Sequence, residues 1–436
     1  MVNCYSTLAV VATAFVMTCA VASALVALNP SVPSTSRRAA TSKNVIYFND
    51  GSNFDDTLSL MLLQKSPYAD IEATYIAGNG WGNVGPSIRN FYHLLHLFGD
   101  EKTPVLAGSY WSLEDEMNAA ADYLPANKSH NPFSSYRTAV PMGSGGSLYC
   151  DTIWGLSTLL PKGSRQYNPM PTTMDAFGDP ASDVQSWKVI AAIARGLPKN
   201  EKLSFISTGP LTAVSKLFNP AIVSISDRDA ILARIEGLYL MGGAVYVDGN
   251  LFSMCPRWAP PINQVNCEAE FNMYEDPHAA QWTFGNFSSR SIPITMVPLD
   301  GTNHVPFPDY LLNELVNAPN TPEAQFMGLL MANLKDTWYD PINFYTTAYL
   351  WDPTSIIVML YPSVVETKTE TGIKVVINQG PSGAQQGETQ ICTIGSIGCS
   401  KINVVTEING DSVGAIILSL MQSKINSAKY PLAIYA

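Results

Sequence analysis

Short apolar runs alternate with amphipathic stretches along most of the chain. The first run, at 45–48, is followed by a helical pattern, and the same alternation recurs down the sequence. Strands that alternate with helices are typical of βαβ units, so the pattern predicts an α/β fold with an open, mostly parallel, Rossmann-like sheet flanked by helices. The predicted strands are Val45–Phe48, Ile71–Ile76, Pro104–Leu106, Leu203–Ile206, Leu238–Met241 and Ile292–Val297, and the predicted helices are Asp55–Leu63, Ser87–Leu97 and Val184–Ala194.

Two regions depart from this alternation. Residues 110–180 are rich in Gly, Pro, Ser and Asn without clear periodicity, which indicates a long loop insertion. After residue 364 the pattern predicts a β-hairpin, with strands at Lys374–Ile377 and Ile402–Val405, and then a closing helix at Ser412–Gln422. We therefore expect a single large domain over 44–436 that contains the 110–180 insertion.

The beginning of the chain has the pattern of a targeting segment. Residues 8–28 are almost uninterruptedly apolar, and small residues at 20–24 resemble a signal-peptidase site. This predicts a signal peptide over 1–27, a linker over 28–43, and a secreted, extracellular protein with no stable membrane association after cleavage. No Lys or Arg precedes the run, and it is long enough to span a bilayer, so an uncleaved anchor stays open as the alternative.

Cysteine and asparagine positions agree with secretion. Two closely spaced cysteine pairs predict disulfides that close local loops, Cys255 with Cys267 and Cys392 with Cys399, and leave Cys150 as a buried or free thiol. Two N-glycosylation sequons begin at Asn127 and Asn286.

Charge excludes one class of partner. The chain has 25 Lys and Arg against 36 Asp and Glu, a net charge of −11, and no basic cluster. Nucleic-acid binding needs clustered positive charge, so we expect no nucleic-acid partner and instead a cation or a weakly charged substrate.

The candidate chemistry begins at NDGSNFDD, residues 49–56, where a predicted strand meets a predicted helix. Asp50, Asp55 and Asp56 crowd into this junction, so the fold must protonate one of them, separate them, or bind a cation. Carboxylates suit Ca²⁺ or Mg²⁺, and no His or Cys stands beside them to suggest zinc. An acidic helix start without a ligand is the alternative, because Asp is favoured there.

Four later segments also place amides, carboxylates or glycine turns just beyond apolar runs. They are Ile76–Asn79, Ser207–Leu211, Met241–Asn250 with the following Glu270–Asn272, and Trp351–Pro353. The carboxyl ends of strands are where open α/β sheets bind ligands, so these segments are expected to converge.

Together and in this order, the segments resemble the nucleoside hydrolases, the Ca²⁺-dependent N-ribohydrolases of the inosine–uridine type. STGPLTAV, LYLMGGAVYVDGN and EAEFNMYEDPHAA carry the resemblance, which covers roughly 44–362. NDGSNFDD resembles the family's DxDxxxDD. Trp351-Asp352 matches the purine-preferring (inosine–adenosine–guanosine) branch, whose late motif is Trp-Asp rather than His-Asp.

The resemblance implies a function and a set of roles. The activity would be Ca²⁺-dependent hydrolysis of the N-glycosidic bond of purine ribonucleosides to ribose and free base, by a homodimer or homotetramer. Asp50 would ligate calcium and act as general base, and Trp351 would stack on the leaving purine, opposite either Trp81 or Trp111. The remaining metal ligands would be Asp56, Asp352 and the backbone carbonyl of Thr208, and the ribose would be held by Asp55, Asn79, Met241, Asn250, Glu270 and Asn272.

The first motif departs from the family pattern. Four residues instead of three separate Asp50 from Asp55, a gapless match would put Gly51 at the base position, and Phe48 replaces a family aspartate. Two alternatives therefore stay open: a catalytically impaired, nucleoside-binding homologue, and a calcium-stabilised extracellular interaction protein.

Overall fold

A nine-stranded sheet forms the centre of the described structure. The computed structural model describes residues 42–51, 54–77, 80, 84–108, 180–250, 267–337, 348–377 and 385–423. The predicted signal peptide, all but the end of the predicted linker, and nearly all of the predicted insertion lie outside these ranges. Within them, no helix combines the length and apolarity needed to cross a bilayer.

The sheet has the order β3-β2-β1-β4-β5-β6-β9-β7-β8. Neighbours from β3 through β6 and on to β9 are parallel, whereas β7 is antiparallel to both β9 and β8. The strands are β1 (Lys43–Asn49), β2 (Ala69–Ile76), β3 (Val105–Ala107), β4 (Leu203–Ser207), β5 (Ile235–Met241), β6 (Ile294–Val297), β7 (Val365–Val375), β8 (Thr389–Ile391) and β9 (Ser400–Ile408). The predicted, mostly parallel α/β architecture is confirmed.

Helices cover both faces of this sheet. They are α1 (Phe54–Lys65), α2 (Val84–Leu97), α3 (Pro180–Gly196), α4 (Thr212–Ser215), α5 (Ile225–Leu232), α6 (Phe271–Glu275), α7 (Pro277–Ser289), α8 (Leu299–Thr302), α9 (Asp309–Asn317), α10 (Pro322–Thr337), α11 (Trp351–Leu360) and α12 (Gly410–Gln422). Short 3₁₀ turns follow at Lys216–Phe218 and Pro362–Val364.

Strand β1 shows how the sheet divides the core. Successive side chains of a strand point to opposite faces. Val45 and Tyr47 accordingly pack with α1, α2 and the α9–α12 helices, whereas Ile46 and Phe48 pack with Trp187 of α3 and with α7. A strand covered on both faces needs a continuous apolar run, which is why 45–48 is apolar throughout.

Helix α1 lies deep inside the first of these cores. Every one of its residues is buried, including the polar Gln64 and Lys65 at its end. Gln64 Nε2 donates to Asp100 Oδ2 at 2.7 Å, and Lys65 Nζ pairs with Glu323 Oε2 of α10 at 3.2 Å. The helix that carries Asp55 and Asp56 is therefore buried along its whole length, and a hydrogen bond and an ion pair hold its C-terminal end.

The C-terminal region differs in detail from the predicted hairpin. Strand β7 begins at Val365, well before the predicted start, and pairs antiparallel with β9 over nearly its whole length. Its first half is mostly exposed and polar, so it lacks the apolar signal of a buried strand. The disulfide Cys392–Cys399 is present as predicted. Cys267 is also disulfide-bonded, while Cys255 and Cys150 lie outside the described residues.

Candidate active site

Three buried carboxylates meet at the carboxyl edge of the parallel strands. Asp55 and Asp56 lie in the first turn of α1, and Asp352 lies in the first turn of α11. One oxygen from each lies within 4.8 Å of the others. Both helices direct their N-termini, with the positive ends of their dipoles, toward this point, which favours carboxylates there.

Asp50 lies beside this group and follows β1 directly. Its side chain is buried, and its charge acts on Asp55, Asp56 and Asp352. It is not part of the set whose oxygens all lie within 4.8 Å. The loop after β4 is shaped around it, because a Cβ at Gly209 would lie 2.6 Å from Asp50 Cβ.

The carboxylates raise one another's pKa. Burial, followed by the charge of Asp50, raises the pKa of Asp55 to about 7. Burial and the charges of Asp55, Asp56 and Asp50 likewise raise the pKa of Asp352 well above its ordinary value. The charged groups with the largest effect on Asp352 are all carboxylates, so the cluster brings together like charges that repel one another.

Two hydroxyl groups hold one oxygen of Asp56. Thr208 Oγ1 donates to Asp56 Oδ1 at 2.8 Å, and Tyr47 OH donates to the same oxygen at 3.1 Å. The other oxygen, Oδ2, is buried and has no hydrogen-bond partner. Asp56 therefore has a fixed orientation with one free oxygen.

Asn272 of α6 joins the ends of two strands. Its Nδ2 donates to the backbone oxygen of Thr208 at 3.1 Å and to that of Met241 at 3.3 Å, and it contacts Met241 Sδ at 3.5 Å. The predicted ligand Thr208 and the predicted ribose contacts Asn272 and Met241 are therefore neighbours at the same edge of the sheet.

Glu270 has a structural role that its position in the sequence did not reveal. It is the N-cap of α6 and accepts from the backbone nitrogens of Asn272 at 2.9 Å and Met273 at 3.1 Å. It also accepts from Gly243 at 2.9 Å, in the turn after β5 where Gly243 has φ of +91°. Burial raises its pKa to about 7 in spite of these donors.

Asn250 acts on the same segment. Its Oδ1 accepts from the backbone nitrogen of Phe271 at 2.8 Å, and its backbone nitrogen donates to the backbone oxygen of Ala269 at 3.2 Å. The two predicted ribose contacts Glu270 and Asn250 thus also hold the start of α6, which carries Asn272.

Trp351 stands at the rim of the cluster, next to Asp352. Its half-buried ring packs against Met241, Ala244 and Leu299 and lies 5.6 Å from the ring of Tyr349. Its indole nitrogen is buried without a hydrogen-bond partner. A partly buried aromatic side chain therefore lies next to Asp352.

The structure brings together most of the positions predicted from the sequence. Asp50, Asp55, Asp56, Thr208, Met241, Asn272 and Asp352 gather at one edge, joined through the start of α6 to Asn250 and Glu270. Asn79, Trp81 and Trp111 lie outside the described residues. Asp300, in α8, accepts from the backbone nitrogens of Val245 at 2.8 Å and Tyr246 at 2.7 Å.

One site residue was missed. Tyr47 lies in the apolar run of the predicted strand Val45–Phe48, a pattern that gives no sign of a contact with the carboxylates. A buried tyrosine hydroxyl nearly always has a polar partner, and that rule is the signal that leads to Asp56.

The donor set fits a hard divalent cation. It consists of carboxylate oxygens with raised pKa values and includes one buried oxygen, Asp56 Oδ2, without a hydrogen-bond partner. Oxygen ligands of this kind suit Ca²⁺ or Mg²⁺ rather than zinc or copper. Asp55, Asp56 and Asp352, with Asp50 beside them, are the residues that would hold it.

The chain is similar to curated nucleoside hydrolases. Nucleoside hydrolase 3 of Arabidopsis thaliana is 27% identical in an alignment over 356 residues that covers 74% of this chain and 35% of that protein, so the chain spans about a third of its length. The pyrimidine-specific ribonucleoside hydrolase RihA of Photobacterium profundum is 26% identical over 315 residues, 71% of this chain and 77% of that protein.

Solved structures share the fold. A purine-preferring ribonucleoside hydrolase from Gardnerella vaginalis superimposes with a TM-score of 0.55 and 17% identity, covering 89% of this chain and 99% of that one. The family model described as inosine-uridine preferring nucleoside hydrolase matches residues 45–414, which include every carboxylate of the cluster. This chain belongs to the inosine-uridine preferring nucleoside hydrolase family.

Proposed function

We propose that this chain hydrolyses the N-glycosidic bond of purine ribonucleosides to ribose and free base, with Ca²⁺ held at the carboxylate cluster. The observation that carries the proposal is the meeting of Asp55, Asp56 and Asp352 within 4.8 Å at the buried edge of the sheet. Family membership supports the reaction class, and the all-oxygen donor set supports the choice of a hard cation.

The proposed reaction assigns each proton and bond. Water attacks the anomeric carbon as the carbon–nitrogen bond breaks, Asp50 takes the proton from the water, and the base leaves with the bonding electrons as an anion. The anion then takes a proton from solvent, and Asp50 returns its own proton to solvent. A bound cation would make the attacking water more acidic. Asp50 is suited to this role because it is buried beside the carboxylates of the cluster, on which its charge acts.

The ribose would be bound by side chains at the ends of the strands. Departure of the base builds positive charge on the ribosyl ring, and the nearby carboxylates stabilise that charge. Asp55 would contact the ribose, and Asn272, held by Thr208 and Met241, would present its remaining acceptor oxygen to a ribose hydroxyl.

Purine preference rests on Trp351. The Photobacterium relative is described as pyrimidine-specific and the Gardnerella protein as purine-preferring, so the comparisons do not decide the base preference of this chain. The half-buried ring beside Met241 offers a stacking face for a wide, flat base, and a stacked base is a better leaving group. Trp351 would therefore act on departure of the base.

Secretion is proposed on separate grounds. The disulfide Cys392–Cys399 and the disulfide-bonded Cys267 agree with an oxidising compartment. Asn286 lies in α7, where its Oδ1 accepts from Arg290 at 2.9 Å, and its glycosylation stays a prediction. The order of signal peptide, linker and catalytic domain is part of the same proposal.

A nucleoside-binding protein without turnover is the second candidate. It is favoured by one observation, that the compact carboxylate set does not include Asp50. In that case the cation and the sugar would still bind, but no group would remove the proton from water.

Release of free base from inosine, adenosine, guanosine and uridine, measured with calcium and with chelator, separates these readings. The proposal predicts chelator-sensitive turnover that favours the purines and is lost in Asp50→Ala. Calcium and nucleoside binding without base release would instead establish the second candidate.

A further inference from the structure

Tyr47 occupies an unusual place for a core tyrosine. Its side chain is fully buried, and its ring stacks on Phe91 of α2 with the centroids 6.5 Å apart. Its hydroxyl passes beyond the apolar layer and lies 3.1 Å from Asp56 Oδ1 and 3.0 Å from Thr208 Oγ1. It is thus the point where the core meets the carboxylate cluster.

The hydroxyl contacts on Asp56 are one-sided. Tyr47 and Thr208 both donate to Oδ1, while Oδ2 is buried without a partner. A carboxylate with both donors on one oxygen cannot rotate freely, and its second oxygen stays directed away from them. Groups that orient a metal ligand in this way commonly change metal affinity by 10–100-fold when they are removed.

We propose that Tyr47 is a positioning residue that, together with Thr208, orients Asp56 so that Oδ2 remains free for the cation. This inference rests on the proposed function, because it presumes a cation at the cluster.

The chain contains a matched control. Tyr75 lies on the neighbouring strand β2, is equally buried, and donates its hydroxyl to Asp183, an aspartate paired with Lys216. Tyr75 packs in the core on the opposite face of the sheet, away from the cluster. Removing either hydroxyl deprives a buried carboxylate of a donor, but only one of those carboxylates belongs to the proposed cation site.

Calcium titration of the metal-free protein by calorimetry tests the inference, with Tyr47→Phe and Tyr75→Phe side by side. We expect Tyr47→Phe to weaken calcium binding roughly tenfold or more and Tyr75→Phe to bind as the wild type does. At saturating calcium Tyr47→Phe should recover most of its turnover, because the residue acts through Asp56. Equal affinities in Tyr47→Phe and wild type, or an equal loss in Tyr75→Phe, would overturn the inference.

A second pair of variants keeps the test valid if Tyr47→Phe does not fold. Thr208→Ser retains the donor to Asp56 and should keep its affinity, whereas Thr208→Val lacks the donor and should lose it. Two matching affinities would count against the proposed orientation of Asp56. Absence of calcium binding by the wild type would instead overturn the proposed cation site itself, a result distinct from failure of the variants.

Discussion

The hydroxyl of Thr208 donates to Asp56 Oδ1 at 2.8 Å and so joins the end of β4 to the first turn of α1. The two residues are far apart in the sequence and meet because β1 and β4 are neighbours in the sheet. Thr208 also offers its backbone oxygen to Asn272, so one threonine connects the carboxylates to the amide at the start of α6. The site therefore forms from segments that follow neighbouring strands of the sheet.

Neutralising Asp352 should separate stability from cation binding. Asp352→Asn keeps the shape of the side chain but removes one of several mutually repelling charges. We expect calcium affinity to fall by at least the roughly 100-fold that marks the upper range for loss of a group that only supports a ligand, because Asp352 is a proposed ligand itself. The metal-free protein should melt at the same or a higher temperature. Calorimetric titration and thermal melts in chelator measure the two effects.

Asp300→Asn is the control for that variant. Asp300 is buried and accepts two backbone hydrogen bonds but does not belong to the cluster. It should lower the melting temperature and leave calcium affinity unchanged. If Asp352→Asn destabilised the metal-free protein as much as Asp300→Asn does, Asp352 would be a structural residue.

Calcium should stabilise the protein more at pH 7.5 than at pH 5. Asp55 has a pKa near 7 in the folded state, against about 3.9 for an unfolded aspartate. The folded chain therefore binds this proton more tightly, and metal-free stability falls as the pH rises from about 4 through about 7. Loss of the proton from Asp55 adds repulsion among the carboxylates, and a bound cation relieves that repulsion. The calcium-induced rise in melting temperature should therefore grow across that range. A rise that is equal or smaller at pH 7.5 would contradict the assignment.

Trp351→Ala should lower kcat for inosine more than for uridine. Stacking acts on the departing base, so its loss belongs to the transition state rather than to substrate binding. Trp282→Ala is the control, because Trp282 is 49% exposed on α7 and does not belong to the cluster around Trp351. Steady-state kinetics on both nucleosides give the answer, and a raised KM with unchanged kcat would make Trp351 a simple binding residue.

Much of this architecture is predictable from the sequence because the relevant signals are local. Strand β1 carries a continuous apolar run, and β2, β4 and β5 are mostly apolar. The polar residues that follow these strands converge because parallel strands share an edge. The pairing of Tyr47 with Asp56 was not predictable by periodicity, since a tyrosine in an apolar strand has the pattern of core. The capping role of Glu270 depends on where α6 begins, and a helix of five residues is too short to give a periodic pattern that predicts its start.

The buried ion pair at the end of α1 should govern stability without touching the chemistry. Lys65 and Glu323 have side-chain exposures of 0% and 1% and lie 3.2 Å apart. Glu323→Ala leaves Lys65 charged, buried and unpaired, so we expect a loss of about 3–5 kcal/mol in the free energy of unfolding. Replacing both, as Lys65→Met with Glu323→Leu, should restore most of it. Urea unfolding measures the loss, and a single variant as stable as the double variant would show that the pair is not coupled.

The central claim is that the buried carboxylates form a cation-dependent catalytic centre. Its most direct test is release of hypoxanthine from inosine by chelated protein as free calcium is added back. The account predicts no turnover in chelator and full recovery with one calcium bound per chain. Turnover that persists undiminished in chelator, with calcium shown to be absent, would contradict it.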